Sequence, residues 1–74
     1  MKWDGIINLK RRSPEAAAAY LMGQKNLLLR WRRQTLKDIE ASKGKAGREV
    51  LAVILARIDR DIYHIDLIQK MPEV

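Results

Sequence analysis

The sequence predicts an all-α fold: a long antiparallel helical hairpin, with helices over about 14–41 and 47–70, that dimerises into a four-helix bundle. Three observations lead there. No proline interrupts the chain between Pro14 and Pro72. Within that span Leu51, Leu55, Ile58, Ile62, Ile65 and Gln69 recur at spacings of 4, 3, 4, 3 and 4, a heptad seam of nearly three repeats. Between the helices, the polar stretch SKGKAGREV, residues 42–50, has the length of a helix–helix turn. The 74 residues make one domain, divided into a basic and apolar arm (1–12) and the hairpin (13–71).

The arm MKWDGIINLKRR carries Trp3, Ile6, Ile7 and Leu9, too apolar a set for a free tail, and is expected to fold back and cap the bundle. Ser13-Pro14-Glu15 reads as a helix start. Ser13 is placed to cap free backbone N–H groups, Pro14 suits the first helical position, and Glu15 complements the positive end of the helix dipole. AAAAYLM follows with high helix propensity, and Gly23 weakens the helix locally by about 1 kcal/mol relative to alanine. In the turn, Gly44 falls where helices commonly end in a left-handed residue, and Lys45 or Gly47 opens the second helix, which stops before Pro72.

On a wheel of 100° per residue the first helix is apolar over roughly 220°, from Leu27, Tyr20 and Trp31 through Leu28 and Leu21 to Leu29 and Met22. One antiparallel partner cannot cover so wide an arc. A second copy is expected to cover the rest, with Leu51, Leu55, Ile58, Ile62, Ile65, Leu28 and Trp31 at the oligomer interface. This architecture resembles the Rop hairpin. Two cations, Lys25 and Arg32, fall inside the arc. A turn centred near Lys45 sets residue i opposite roughly 91 − i, which pairs Arg32 with Asp59 and Lys25 with Asp66 as structural, register-fixing ion pairs.

Charge points towards function. Met1 to Lys45 holds eleven Lys/Arg against four Asp/Glu, whereas Ala46 to Val74 holds four against five. The positive field of the first half favours polyanions or acidic protein surfaces. Arg30, Arg33 and Lys37 recur at spacings of 3 and 4 opposite the apolar arc, on a face almost without acids, and Lys10, Arg11, Arg12, Lys43 and Lys45 extend the field. The expected function is a small non-enzymatic regulatory protein binding the backbone of duplex RNA or DNA. The alternative is an interaction module whose basic face meets an acidic protein. Gly44-Lys45-Ala46-Gly47 also resembles the GxxG loop of KH domains, which clamps nucleic-acid backbone. KH domains are mixed α/β, however, and this chain offers no clear strands, so a plain turn is the expectation.

Other classes are not expected. The chain has no cysteine and one histidine, which argues against a disulfide framework or a Cys/His zinc site, and no cofactor or small-molecule substrate is expected. Asp61-x-x-His64 is half of a carboxylate–histidine pair without the further ligands a bundle di-metal site requires. LARIDRDIYHIDLI resembles a helix of AroQ-type chorismate mutases, but no matching set of active-site positions accompanies it. Asp4, Gly5 and Asn8 break up any signal-peptide core, and there is no run of about 20 apolar residues. A cytoplasmic location without a membrane partner is the expectation.

Overall fold

The computed structural model describes residues 3–71, and these form α1 (Trp3–Arg12), α2 (Pro14–Ala41) and α3 (Lys45–Lys70), with no strand among the described residues. The molecule is a rod of 49 × 17 × 16 Å with a radius of gyration of 15.1 Å. A compact chain of this length would have a radius near 11 Å. Its core is therefore a line of side chains along the rod.

α2 and α3 lie side by side and antiparallel. Lys25 Nζ is 2.6 Å from Asp66 Oδ1, and Arg32 Nε is 2.8 Å from Asp59 Oδ1. Both pairs follow the 91 − i register. Their side chains keep 33–49% of their surface exposed, so each contributes at most about 1 kcal/mol. Apolar burial does more. Leu21 and Ile65 are fully enclosed, and Leu28, Ile58, Ile68 and Ile6 join them in one cluster. Each such side chain is worth about 1.5–3 kcal/mol relative to exposure.

The buried positions on α2 are Ala17, Leu21, Leu28 and Thr35. Thr35 is the polar member of this row. Its hydroxyl donates to the Trp31 carbonyl at 2.8 Å, so it enters the core without an unmet hydrogen bond. On α3 the buried positions are Ile58, Ile65 and Ile68, with Leu51, Leu55 and Ile62 half-buried. Ile68 takes the place that the heptad count gives to Gln69, which is exposed.

The arm is a helix. Trp3, Ile6, Ile7 and Lys10 lie at i, i+3, i+4 and i+7, one face of α1, while Asp4 in the first turn and Lys10, Arg11 and Arg12 in the last complement the dipole. Ten residues are too few for a stable helix in isolation, so packing holds it. Ile6 is buried against the α2–α3 cluster, and Trp3 and Ile7 pack beside it. The Trp3 ring lies 5.4 Å from that of His64, and Lys10 Nζ donates to the carbonyls of Ile68 (2.5 Å) and Met71 (2.6 Å). α1 thus runs along α3 in the same direction, with its N-terminal end towards the α2–α3 turn.

This placement bears on the expected interface. The surplus apolar arc of α2 is met in part by α1 of the same chain. Leu28, Ile58 and Ile65 are already buried within the chain, whereas Trp31 is 52% exposed.

Two cap expectations also change. Ser13 has φ −145° and ψ 85° and makes no side-chain cap bond; it is the joint between α1 and α2, its N–H donating to Leu9 and its carbonyl accepting from Ala17. Gly44 is not left-handed. It is the extended residue before α3 (φ −98°, ψ 137°), Ser42 closes α2 in extended conformation, and α3 begins at Lys45, the earlier of the two expected starts. Pro72 lies outside the described residues.

Candidate polyanion-binding face

A single helix positions the central cations. From Arg30 to Lys37, α2 rises about 10 Å, so Arg30, Arg33 and Lys37 occupy neighbouring turns of the surface turned away from Leu28 and Leu21. All three are exposed, and with Gln34 they line a shallow depression of about 220 Å³. Neither ion pair found among the described residues involves them. The nearby carboxylate of Asp38 accepts instead from Gln34 Nε2 at 2.9 Å. α2 therefore sorts its cations. Lys25 and Arg32, next to α3, are matched by aspartates, while the three on the far face stand in solvent.

The other expected cations divide. Lys43 and Lys45 are exposed at the turn, continuing the field beyond Lys37. Arg11 and Arg12 are also exposed, but they stand at the opposite end of the rod, since Pro14 and Arg30 are about 24 Å apart along α2. Lys10 does not belong to the face. It shares the inward side of α1 with Ile6, and its ammonium is held by the last carbonyls of α3, as cations at helix C-termini commonly are. The i, i+3, i+4, i+7 pattern of Trp3, Ile6, Ile7 and Lys10 was the sequence signal for that role.

At the turn, the geometry is that of a connection. Arg48 Nε donates to the Ser42 carbonyl at 2.9 Å, and the Arg48 N–H donates to the Gly44 carbonyl. Gly47 packs closely, its hypothetical Cβ 3.0 Å from Ser42 Oγ. Asp61 and His64 do not form part of any ligand cluster, because no three His, Cys, Asp or Glu side chains converge among the described residues. His64 instead packs on Trp3, with its Nδ1 buried and without a hydrogen-bond partner among the described residues.

No helix among the described residues is long and apolar enough to cross a membrane. No protein-family model matches the chain, and no match emerges among curated proteins or solved structures.

Proposed function

We propose that this chain is a small, non-enzymatic regulatory protein that binds the phosphate backbone of duplex RNA or DNA through Arg30, Arg33 and Lys37, with Lys43 and Lys45 extending the contact. One observation carries the reading: α2 neutralises the cations beside α3, while those on its outer face meet no carboxylate among the described residues. A face meant only for solubility ordinarily mixes signs. Helical spacing gives a row of point charges suited to phosphates but no base-reading element, so recognition is by backbone and shape.

The proposal includes a homodimer built from two α2–α3 hairpins. The chain exposes 5752 Å², about 1,000 Å² more than the ~4,700 Å² of a compact monomer of this mass. Met22, Leu29 and Leu36, spaced by seven on the flank of α2 that carries Lys25 and Arg32, remain 60%, 38% and 36% exposed. A second copy seated on that row would bury them and leave the basic face free. Sedimentation of the wild type and Leu29→Glu tests the assembly; a monomeric wild type refutes it.

Binding is tested by fluorescence anisotropy on labelled duplex RNA and duplex DNA across a salt series, with Arg30→Ala/Arg33→Ala/Lys37→Ala as the comparison. On duplex DNA each neutralised phosphate adds about 0.9 to the steepness of the log–log salt dependence, so the triple variant is expected to flatten it by about 2.7. Absence of binding at low salt, or an unchanged slope, overturns the reading. An acidic protein partner is the second reading, since the same exposed cations would also meet an acidic surface.

A further inference from the structure

α2 carries its exposed apolar row and its basic row on adjoining flanks. At 100° per residue, counted from Leu28 on the buried side, Met22, Leu29 and Leu36 lie at about 100°, on the flank of Lys25 and Arg32. Arg33, Lys37 and Arg30 follow at about 140°, 180° and 200°. α1 leaves this flank open. It covers α3 on the side of His64, which lies roughly 150° around that helix from Asp59 and Asp66, the partners of Arg32 and Lys25. Whatever covers the apolar row therefore stands beside the basic one. The surplus surface of about 1,000 Å² is of the size that one side of a standard interface buries, ~800 Å².

Two symmetric arrangements seat a second copy on this row, and charge separates them. With the α2 helices parallel, the twofold axis runs along the rod. Arg32 of one copy then meets Arg33 of the other, and the two basic faces point in opposite directions. With the helices antiparallel, the axis crosses them at Leu29, so that residue i stands level with residue 58 − i of the second copy. Met22 meets Leu36, the exposed Arg33 comes level with the exposed Asn26, and the helix dipoles oppose. Arg32 and Lys25 of the two copies also draw near, each accompanied by its own aspartate. This axis keeps each flank on its own side of the interface, so both basic rows end on one face.

We propose that this antiparallel dimer is the binding unit, and that Arg30, Arg33 and Lys37 of both copies form one six-cation surface for a duplex. The inference rests on the duplex-binding and homodimer readings above. Along α2 the three cations stand about 1.5, 6 and 12 Å from Leu29, which makes a joint track ~24 Å long, its two rows on helix axes ~8–10 Å apart. The carboxylates of the same flank, Glu40 and Glu15, lie beyond its ends, at about 16 and 21 Å. One turn of duplex measures ~34–36 Å, so a single duplex reaches both rows within a turn. The two backbones of a duplex are themselves related by twofold axes across its length, and a symmetric dimer meets equivalent phosphates with each half. A single strand has no such axis.

The chain has no cysteine, so introduced cysteines report the arrangement. Met22→Cys and Leu36→Cys chains are mixed where the wild type sediments as a dimer and treated with a short bis-maleimide. Crosslinked heterodimers are expected from the mixture and none from either variant alone. Self-linking of each variant denotes the parallel arrangement and overturns the proposal.

Binding is read by anisotropy on labelled duplex DNA across a salt series. The substitutions Arg30→Ala/Arg33→Ala/Lys37→Ala remove six cations from each dimer and should flatten the log–log slope by about 5.4, twice the value for one row. Met22→Gln/Leu29→Gln keeps every cation, adds no acid beside them and alters only side chains that are 60% and 38% exposed. It should retain its helicity by circular dichroism, sediment as a monomer and bind at least about a hundredfold more weakly. A flattening of only about 2.7, with the glutamine variant binding as tightly as the wild type, makes the single chain the binding unit. The proposal then fails while the phosphate reading stands. Absent duplex binding beside the heterodimer crosslink overturns the phosphate reading and the six-cation surface together, and a monomeric wild type overturns the dimer.

Discussion

Truncating Ile6 to alanine probes whether α1 is part of the folded unit. Ile6 is 7% exposed and contacts the cluster of Leu21, Leu28, Ile65 and Ile68. The substitution removes roughly three carbons from the core, worth about 0.8 kcal/mol each, or about 2.4 kcal/mol. A terminal helix can settle into the space, so little cavity penalty is added. A domain of 74 residues has roughly 4–11 kcal/mol of stability in all, and a loss of this size lowers Tm by about 10–19 °C. The effect has a ceiling, because the destabilisation stops once α1 detaches, at the free energy with which α1 is docked. Ile6→Asp should therefore melt at the same temperature as a chain lacking residues 3–12, and no lower. The assay is thermal melting followed by far-ultraviolet circular dichroism, with Ile65→Ala as the reference for the shared core. A shift of less than about 3 °C for Ile6→Ala, beside a large shift for Ile65→Ala, would refute the packing of α1 as an integral part of the core.

Gly23→Ala should raise stability by about 0.5–1 kcal/mol, since Gly23 lies within α2 and a Cβ there meets nothing within 4 Å; an unchanged or lower Tm contradicts this. Thr35→Val is expected to be neutral to slightly stabilising in denaturant titration, because the hydroxyl bonds only to its own helix and the site is apolar; a drop above about 1 kcal/mol would mean the hydroxyl has another role. Exchanging the charges of Arg32 and Asp59 should leave Tm within a few degrees of wild type while each single reversal lowers it, and a double-mutant cycle without coupling would show that the pair is incidental. Lys10→Met keeps the stem and removes the ammonium from the Ile68 and Met71 carbonyls. It should speed amide exchange near the C-terminal end of α3 selectively, and unchanged exchange there would deny the capping role.

What could be read in the sequence was what depends on periodicity and on strong local signals. Pro14 and the uninterrupted helix formers set the ends of α2 at Pro14 and Ala41, and the constant sum of paired positions brought Lys25 to Asp66 and Arg32 to Asp59. α1 was legible only as an apolar arm. Asp4, Gly5 and Asn8 depress its propensity, and its helicity depends on a groove that exists only once α2 and α3 have packed. Thr35 was overlooked as a core position because its polar atom is satisfied within its own helix, which composition does not reveal. The left-handed Gly44 expectation rested on a frequent way of ending helices. Here Ser42 and Gly44 stay extended and Arg48 holds the Ser42 carbonyl, so the turn closes without positive φ. Of the candidate site, the row Arg30, Arg33 and Lys37 was visible by spacing, whereas the diversion of Lys10 to the last carbonyls of α3 emerges only once α1 has packed.

The graded sequence separations of the tertiary contacts carry a consequence for the order of assembly. Arg32 and Asp59 are 27 residues apart, Lys25 and Asp66 are 41, and Lys10 and Ile68 are 58. Closing the nearer contacts first costs the least loop entropy, so the chain is expected to zip from the turn outwards, with α1 alighting last. Substitutions in α1 should then act on the escape from the native state alone. In stopped-flow chevrons, Ile6→Ala is expected to accelerate unfolding and leave the refolding limb in place, whereas Ile58→Val, midway along α3 at the level of the Arg32–Asp59 pair, slows refolding. A refolding limb slowed equally by both would place α1 in the nucleus and reverse the order.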